Sequence, residues 1–458
     1  MIKNRKELLR PGRCTRARRL VLDALEAALK AADPKAAVKS HVKLRGRTLR
    51  IMKKEQIPLG KFDSVYVIGA GKASGHMAEA LHEIMGDRIT AGLVIVPAYL
   101  DARLNTGRIQ LWKASHPIPS REGVRGVTKM LDLVRDMGRR DLVICLISGG
   151  GSALMPLPYG KITIEEKRAL TNDLLLSGAT IREINAVRKH LSGIKGGRLA
   201  ELLQKPSKIV SLMVSDVVGD RFDTIASGPL VPDSTTFGDA LYVLRKYGLW
   251  RPLHRNVKRV IESGLSGKIP ETPAEGSKVF RNVKSFLIAN NGTACQAALN
   301  YLSSRGVAAS ILTTSLQGEA SEVGLVVSSV ISNINLARRR MHDRPAAVIM
   351  GGETTVTVRG RGKGGRNQEL VLSACSGIAG HANTVIASIG TDGVDGSSDA
   401  AGAIADSMTL RRAARLKLDR NRFLLNNDSN TFFRRLRDTI QTGLTGTNVN
   451  DVLILLSL

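Results

Sequence analysis

One arginine and one aspartate in glycine-rich segments of the C-terminal half have side chains suited to binding charged groups. Arg366 directly follows Gly364 and Gly365 and precedes a helix-forming stretch, while Glu353 follows another glycine pair. Asp392 lies in a Thr-Asp-Gly turn after a short apolar run. Glycines let backbone N–H groups approach an anion closely, and the arginine fork suits carboxylate or phosphate. These residues predict a site for a multiply charged small molecule, with phosphoryl transfer as the leading chemistry.

The carboxylate of Asp392 has two roles open to it. It could bind Mg²⁺, or it could accept a proton from a substrate hydroxyl group. Asp395 and Asp399 follow in the same loop, either as support for Asp392 or only as turn residues. We predict that Arg366 and Asp392 are catalytic residues.

A third catalytic residue is predicted in the loop at residues 69–75, which joins a strand to a helix. Lys72 follows Gly71 there, and its ammonium group would reinforce an anion site made by backbone N–H groups. The loop narrowly misses the dinucleotide-binding fingerprint, because Ser74 occupies the position of the third glycine. The alternative for Lys72 is a surface lysine on a tight turn.

Other candidate ligands also follow predicted strands. A nest of backbone N–H groups for substrate or nucleotide is predicted at Ser148, Gly149, Gly150, Gly151 and Ser152. Neither serine completes GxSxG, so a serine hydrolase is discounted. Asp216 is predicted to bind Mg²⁺ in preference to Asp220, or else to cap a turn. His116 could touch substrate or form a structural hydrogen bond.

The elements that position these residues alternate between short apolar strands and helices. This alternation predicts α/β domains with mostly parallel sheets flanked by helices. Ligands of such sheets lie beyond the carboxyl ends of the strands, where each of these loops occurs. A change in composition at about 232–280 is interpreted as a connection. We therefore predict a Rossmann-like domain at 1–240 and a second α/β domain at 241–458.

The second domain is expected to begin with a strand at 285–289. The loop after this strand is a further candidate for binding substrate or nucleotide. Its residues are Asn290, Asn291 and Gly292.

The composition is that of a globular protein with a strongly basic balance. The chain is 43% hydrophobic and 24% charged, with a formal net charge of +28, of which +12 falls within residues 1–60. Such a charge could bind nucleic acid or attract anionic substrates. Because aromatic residues make up only 3% of the chain, few side chains could stack on bases, and a solvated basic surface is favoured.

Neither a membrane span nor a metal-binding cysteine pattern is found in the sequence. No apolar run approaches the roughly 18 residues needed to cross a bilayer, and no CxxC occurs. We expect a cytoplasmic protein in which Cys145, Cys295 and Cys375 are small buried side chains.

Six segments in a fixed order resemble the class II glycerate kinases, also called the glycerate 2-kinase or MOFRL family. They span roughly residues 63–406 and read VIGAGKASGHMAEAL, LISGGGSALMPLP, SGATIREINAVRKHLSGIKGGRLA, SDVVGDRFDTIASGP, GGETTVTVRGRGKGGRNQEL and GTDGVDGSSDAAGAIAD. The chain departs from the family pattern at Leu230, where threonine is usual, and at Ser120, where an acidic residue is common. These departures concern peripheral contacts.

The resemblance implies phosphorylation of D-glycerate with ATP and Mg²⁺, in a cleft between two α/β domains. It also implies roles for Lys72, Arg366 and Asp392. We expect the triphosphate and Mg²⁺ at the loops 149–152 and 290–292, and 2-phospho-D-glycerate as the product. The residues themselves leave open whether carbon 2 or carbon 3 is phosphorylated.

Two alternative functions belong to other classes. The near-miss dinucleotide loop suggests hydride transfer to hydroxypyruvate, and the basic charge suggests a nucleic-acid-binding protein. Neither explains Arg366, Asp392 and the glycine-rich loops together. We expect glycerate and ATP as small-molecule partners, no membrane, no dedicated nucleic-acid partner, and leave a homodimer open.

Overall fold

A computed structural model describes residues 1–100, 103–340 and 345–458 and divides the chain into two compact units. The Lys72 unit is Pro34–Ile288, and the Arg366 unit combines Met1–Asp33 with Ala289–Leu458. This division differs from the predicted boundary at residue 240 in two ways. The Lys72 unit continues to Ile288, and residues 1–33 belong to the Arg366 unit. Helices α1 (Arg5–Leu8) and α2 (Thr15–Ala31) belong to the Arg366 unit.

The Lys72 unit contains a six-stranded sheet and a small three-stranded one. The strands are β1 (Val42–Arg45), β2 (Thr48–Ile51), β3 (Glu55–Pro58), β4 (Ser64–Ala70), β5 (Ala91–Pro97), β6 (Ile109–Ala114), β7 (Asp141–Ser148), β8 (Lys208–Val214) and β9 (Val283–Ala289). The larger sheet has the order β6-β5-β4-β7-β8-β9, and its first five strands are parallel. Every residue of β7 is buried, because helices cover both faces of a central parallel strand.

The helices of the Lys72 unit follow the sequence signals closely. They are α3 (Pro34–His41), α4 (Ser74–Met85), α5 (Arg121–Leu133), α6 (Gly151–Leu154), α7 (Ile164–Leu176), α8 (Ile181–His190), α9 (Arg198–Leu202), α10 (Phe237–Lys246) and α11 (Arg255–Leu265). Thr163 and Glu166, a Thr-x-x-Glu pair typical of helix starts, form a capping box before α7. A second capping box, Thr180 with Glu183, starts α8.

The prediction that the strand at 285–289 begins the second domain is wrong. Residues 285–289 belong to β9, which lies at the edge of the sheet of the Lys72 unit, beside β8. The backbone N–H of Ile209 donates to the carbonyl of Asn282 at this edge. An apolar run predicts a strand, but it does not specify which neighbour pairs with it.

The Arg366 unit contains a mixed six-stranded sheet. Its strands are β10 (Ala308–Leu316), β11 (Ala346–Gly352), β12 (Thr384–Gly390), β13 (Gly402–Asp406), β14 (Thr439–Ile440) and β15 (Asp451–Ser457). Its later helices are α12 (Asn291–Ser304), α13 (Ala320–Arg340), α14 (Arg366–Ile378), α15 (Thr409–Arg415), α16 (Arg420–Leu425) and α17 (Ser429–Leu436). The α/β class with two sheet-containing domains is confirmed, although this second sheet contains antiparallel pairs.

The C-terminal strand β15 lies between β11 and β12 and runs antiparallel to both. Its first residue, Asp451, is paired in register with Gly352 at the end of β11 and with Gly390 at the end of β12. An antiparallel strand starts at the edge where its neighbours end. Asp451 is therefore placed among the carboxyl ends of two other strands.

A buried ion-pair network holds the N-terminal helix in the Arg366 unit. The Arg18 side chain is fully buried, and its guanidinium donates to both carboxylate oxygens of Asp438, at 2.8 and 3.1 Å. Arg18 also contacts Asp406, and Arg13 and Arg412 contact Asp438. Part of the basic charge of the N-terminus is thus internal structure. This is the physical reason for the departure from the expected domain boundary.

The prediction for the cysteine side chains is confirmed. Cys145, Cys295 and Cys375 are buried, and all four cysteines are free thiols. The two departures from the family pattern have structural roles, since Leu230 is buried in the core and the Ser120 hydroxyl caps α5 by accepting from the Gly123 N–H. Among the described residues, none of the helices combines the length and the apolar character required to span a bilayer.

Candidate functional site

The loop that carries Lys72 packs closely against the end of β7. Gly71 has φ of +148°, and a Cβ atom there would lie 2.0 Å from the Ser148 Oγ. A side chain at this position would therefore displace the loop. The Lys72 N–H donates to the Gly149 carbonyl at 2.8 Å, which ties the lysine to the second glycine-rich loop.

The hydroxyl of Ser148 is used within this packing. Its Oγ accepts from the Ala73 N–H at 3.0 Å and lies 3.1 Å from the Ser74 Oγ. Ser74 in turn donates to the Leu146 carbonyl. The serine that interrupts the dinucleotide-binding fingerprint thus connects the start of α4 to β7. Ser148 holds the Lys72 loop in place, and its side chain is buried.

Lys72, His116 and Asp216 converge on the glycines 149–151. A Cβ at Gly150, whose φ is +79°, would lie 2.8 Å from the His116 Nε2 and 3.2 Å from the Lys72 Cγ. A Cβ at Gly149 would lie 1.8 Å from a carboxylate oxygen of Asp216. The Lys72 unit therefore brings a cation, an imidazole and a carboxylate to one strip of glycine backbone at the carboxyl ends of its strands.

The imidazole of His116 is neutral at physiological pH. Burial, reinforced by the positive charge of Lys72, lowers the pKa of His116 to about 4. A neutral ring is a poor counter-ion for an anionic substrate but can accept or donate one hydrogen bond. Sequence reasoning left its role open, and the structure places it beside Lys72.

In the Arg366 unit, the Arg366 guanidinium is held by two carboxylates. Its Nε and Nη2 donate to the two oxygens of Asp451 at 2.6 and 3.0 Å, and its Nη1 donates to Glu353 at 2.7 Å. Glu353 is the more exposed partner. The geometry fixes the plane of the guanidinium through Asp451 and leaves the Glu353 side accessible.

The charges of this pair depend on each other. Burial raises the pKa of Asp451 to about 6, while Arg366 opposes the shift. Burial works against the protonated form of Arg366, but Asp451 and Glu353 raise its pKa above the usual value. Arg366 is therefore always positive, and Asp451 is charged at neutral pH because of it.

Asp392 lies at the same edge of the sheet. A Cβ at Gly390 would be 3.3 Å from an oxygen of Asp392 and 3.5 Å from an oxygen of Asp451. The Asp392 carboxylate also accepts from the Val394 N–H at 3.2 Å. The predicted residues Arg366, Glu353 and Asp392 thus lie near one another in the Arg366 unit. Asp451 contacts Arg366 and lies at the same edge as Asp392.

Asp395 serves the helix that begins with Arg366. It is fully buried, and its two oxygens accept from the backbone N–H groups of Asn367 and Gln368 at 3.0 and 2.9 Å. The side-chain amides of both residues donate to it as well. Asp395 is therefore the N-terminal anchor of α14 and sets the starting point of Arg366. Asp399 instead pairs with Arg434 at the surface.

The loop at residues 290–292 has local structural duties. Asn290 caps α12 by accepting from the N–H of Thr293 at 2.8 Å. The buried amide of Asn291 donates to the carbonyls of Val449 and Asp451 at 2.9 and 2.8 Å. Asn291 thereby orients the start of β15. Its amide is directed to the backbone, so its predicted ligand contact stays a prediction.

Comparison with known proteins identifies the family. Residues 20–262 match the domain of unknown function DUF4147, and residues 346–451 match the MOFRL family. A D-glycerate 2-kinase of Thermotoga maritima is 42% identical over 401 residues, covering 88% of this chain and 92% of that protein.

This chain belongs to the glycerate 2-kinase (MOFRL) family.

Two other relatives extend the comparison. The crystal structure of a glycerate kinase from Thermotoga maritima has a TM-score of 0.84 and 39% identity, covering 96% of this chain and 99% of that one. A protein of Agrobacterium vitis, provisionally named a hydroxypyruvate reductase, is 38% identical over 99% of both chains. Membership of the glycerate 2-kinase family makes this chain an enzyme of the kinase class.

The carboxylates of this glycerate 2-kinase family member suit a hard cation. Among the residues that the structure describes, no cluster of three His, Cys, Asp or Glu side chains could hold a metal ion. Kinases bind Mg²⁺ through one or two carboxylates and the phosphates of the substrate, so such a cluster is not required. Asp216 and Asp392 each supply carboxylate oxygens at a strand end, which fits this mode of binding.

Two functional neighbours were missed by sequence reasoning. Asp451 follows Asn450 at the start of a C-terminal apolar strand, with no glycine-rich signal, and only the antiparallel pairing of β15 brings it to Arg366. Lys195 is buried in a small-residue turn, where its Nζ donates to the Ser152 carbonyl at 3.0 Å. Gly193, Gly196 and Gly197 flank Lys195 and are the sequence signal that could have marked this residue.

Proposed function

We propose that this enzyme transfers the γ-phosphoryl group of ATP to D-glycerate and yields 2-phospho-D-glycerate. The observation that carries the proposal is the convergence of Arg366, Asp392 and Asp451 at the ends of β11 and β12. The name of the Thermotoga maritima relative supports D-glycerate as the acceptor. Lys72 and its glycine-rich loops supply a second cationic site in the other unit.

The reaction forms a bond between a glycerate hydroxyl oxygen and phosphorus and breaks the bond between that phosphorus and the ADP oxygen. Asp392 orients the hydroxyl group and either accepts its proton or holds Mg²⁺. Arg366 and Lys72 neutralise negative charge on the transferring oxygens. Because phosphoryl transfer depends mainly on positioning and electrostatics, fixed cations of this kind are the main contribution of the protein.

Bound Mg²⁺ would shield the charges of the triphosphate. Asp216 and Asp392 are the residues proposed to hold it, and the glycines 149–151 would offer backbone N–H groups to phosphate oxygens. The proposal that Lys72 acts on the same substrate molecule as Arg366 and Asp392 stays a prediction of the family resemblance.

A second candidate function is hydroxypyruvate reduction, which the provisional name of the Agrobacterium vitis relative favours. The Ser74 hydroxyl that replaces the third fingerprint glycine is hydrogen-bonded to the strand β7, so the loop differs from a standard dinucleotide site. Two assays on the purified enzyme separate the candidates. We expect ADP release that requires D-glycerate, and no oxidation of NADH or NADPH by hydroxypyruvate. The reverse pattern would establish the reductase.

A further inference from the structure

Three cationic side chains lie together behind the glycine-rich loop 148–152. Lys167, on α7, and Lys195, after α8, are almost fully buried, whereas Arg188 in the last turn of α8 is half-buried. Arg188 is close enough that its charge lowers the pKa of both lysines. Arg188, Lys167 and Lys195 form the cationic cluster.

The two lysines are bound only through neutral partners. Lys195 Nζ donates to the carbonyls of Ser152 and Ala226 at 3.0 and 3.4 Å and lies 3.3 Å from the Ser152 Oγ. Lys167 Nζ donates to the carbonyls of Pro156 and Leu157 at 3.3 and 3.4 Å. These dipoles satisfy the hydrogen bonds of both lysines, and burial together with the charge of Arg188 lowers the pKa of each, that of Lys167 to about 7.

The Ser152 hydroxyl extends this arrangement to α8. Its Oγ lies 2.6 Å from the Ser227 Oγ, and Ser227 donates to the Asn185 Oδ1 at 3.2 Å. Asn185 precedes Arg188 by three residues, so the two side chains share one face of the helix. The cationic cluster is therefore connected to the loop that we propose to bind phosphate.

Arg188 differs from the lysine next to it in the sequence. Lys189 is paired with Asp233 at 3.1 Å and lies 3.6 Å from Asp223. Within residues 1–100, 103–340 and 345–458, the Arg188 guanidinium makes no hydrogen bond and no ion pair. One helix turn thus contains a fully compensated cation beside an uncompensated one.

Without a bound anion, the cationic cluster destabilises the fold. Like charges repel strongly where protein excludes water, and an arginine cannot escape the repulsion by losing its proton. Burial also lowers the pKa of Arg188, which has no carboxylate to oppose the shift. An anion bound at the guanidinium would compensate the charge that Arg188 keeps, and the arginine fork matches a carboxylate or phosphate.

We propose that Arg188 binds an oxyanion of the substrates beside Ser152, which is either the glycerate carboxylate or a nucleotide phosphate. This inference rests on the proposed function, because that function supplies the two anions. It assigns Arg188 as a substrate-binding residue in addition to Lys72 and Arg366.

The test compares binding and stability in Arg188→Gln and in the control Arg182→Gln, which changes an exposed arginine on the same helix. D-glycerate alone and ADP with Mg²⁺ are titrated separately by calorimetry, and Tm is measured without ligand. We expect the affinity of Arg188→Gln for one of the two to fall about 10- to 100-fold, because a charge-assisted hydrogen bond is lost. The ligand affected identifies which oxyanion Arg188 binds.

The stability of the free protein provides an independent readout. Since a like charge is removed, Arg188→Gln should unfold at the same or a higher Tm, whereas loss of a structural contact would lower it. Arg188→Lys retains the charge without the fork and should bind with intermediate affinity. Wild-type affinity of both variants for both ligands, or a lowered Tm with unchanged affinity, would overturn the proposal. Failure of the wild-type enzyme to phosphorylate glycerate would count against the proposed function alone.

Discussion

Arg366 and Asp451 form a two-point ion pair in which both carboxylate oxygens accept from one edge of the guanidinium, at 2.6 and 3.0 Å. Asp451 is the first residue of the antiparallel strand β15, and Arg366 is the first residue of the helix α14. Two elements that are 85 residues apart thus fix the orientation of one cation. The opposite edge contacts the more exposed Glu353, which a substrate anion could replace.

This pair predicts a separation between stability and turnover. Arg366→Ala leaves Asp451 buried and unpaired, which should lower the free energy of unfolding by about 3–5 kcal/mol. The double variant Arg366→Ala/Asp451→Asn removes that charge and should recover most of the stability. Both variants should lose about 10²- to 10³-fold in kcat, because a preorganised cation is absent.

Chemical denaturation and steady-state kinetics on the same preparations check this prediction. Arg361→Ala, which removes an exposed arginine from the preceding loop, is the matched control and should resemble the wild type. Recovery of kcat together with stability in the double variant would show that Arg366 acts only through the fold.

Lys72 is predicted to act on the transferring phosphoryl group. Lys72→Ala should reduce kcat about 10²- to 10³-fold with a cooperative unfolding transition, since the backbone contact of Lys72 with Gly149 does not need the side chain. Lys54→Ala, at an exposed position of the same unit, is the control. Near-normal kcat and KM for Lys72→Ala would remove this lysine from the active site.

Asp392 is predicted to be the proton acceptor or a ligand of Mg²⁺. Asp392→Asn should lower kcat about 10²- to 10⁴-fold, the usual range for loss of general base catalysis. A titration with Mg²⁺ separates the two roles. If Asp392 is a metal ligand, its replacement raises the Mg²⁺ concentration needed for half-maximal activity, whereas loss of a proton acceptor leaves that concentration unchanged. Asp399→Asn alters a surface carboxylate of the same loop and should leave kcat unchanged. Equal activity of the two variants would exclude both roles of Asp392.

The Asp438 network predicts the acid sensitivity of the Arg366 unit. Burial alone would raise the pKa of Asp438, but Arg18 and Arg412 hold it below its usual value. The ordinary pKa of an aspartate in the unfolded chain is about 4, and a lower pKa in the folded protein stabilises the fold above that pH. This contribution is lost as the pH falls through the pKa of the folded state. Asp438→Asn should lose about 3–5 kcal/mol at pH 7 and show a flatter dependence on pH between 5 and 3. Urea denaturation at several pH values tests this, and an unchanged slope would contradict it.

The fold was predictable where local patterns determine structure. The capping box at Thr163, the buried strand at 142–147 and the glycine-rich turn at Gly71 each depend on neighbours in the sequence. The positions of β9 and β15 were not predictable, because strand pairing depends on distant partners that apolar runs do not specify.

The same distinction determines which residues of the candidate site could be predicted from the sequence. Lys72, Arg366 and Asp392 stand in glycine-rich loops that are visible in the sequence. Asp451 and Arg188 have no such context, and their surroundings arise only from tertiary packing.

Phosphorus and carbon NMR of the reaction product test whether this enzyme phosphorylates D-glycerate. The purified protein is incubated with ATP, Mg²⁺ and carbon-labelled D-glycerate. We predict a new phosphate monoester whose phosphorus couples to the proton on carbon 2, with one ADP formed per ester. Unchanged D-glycerate after extended incubation would refute the proposed kinase activity, and coupling to the protons on carbon 3 would reject the 2-phospho product.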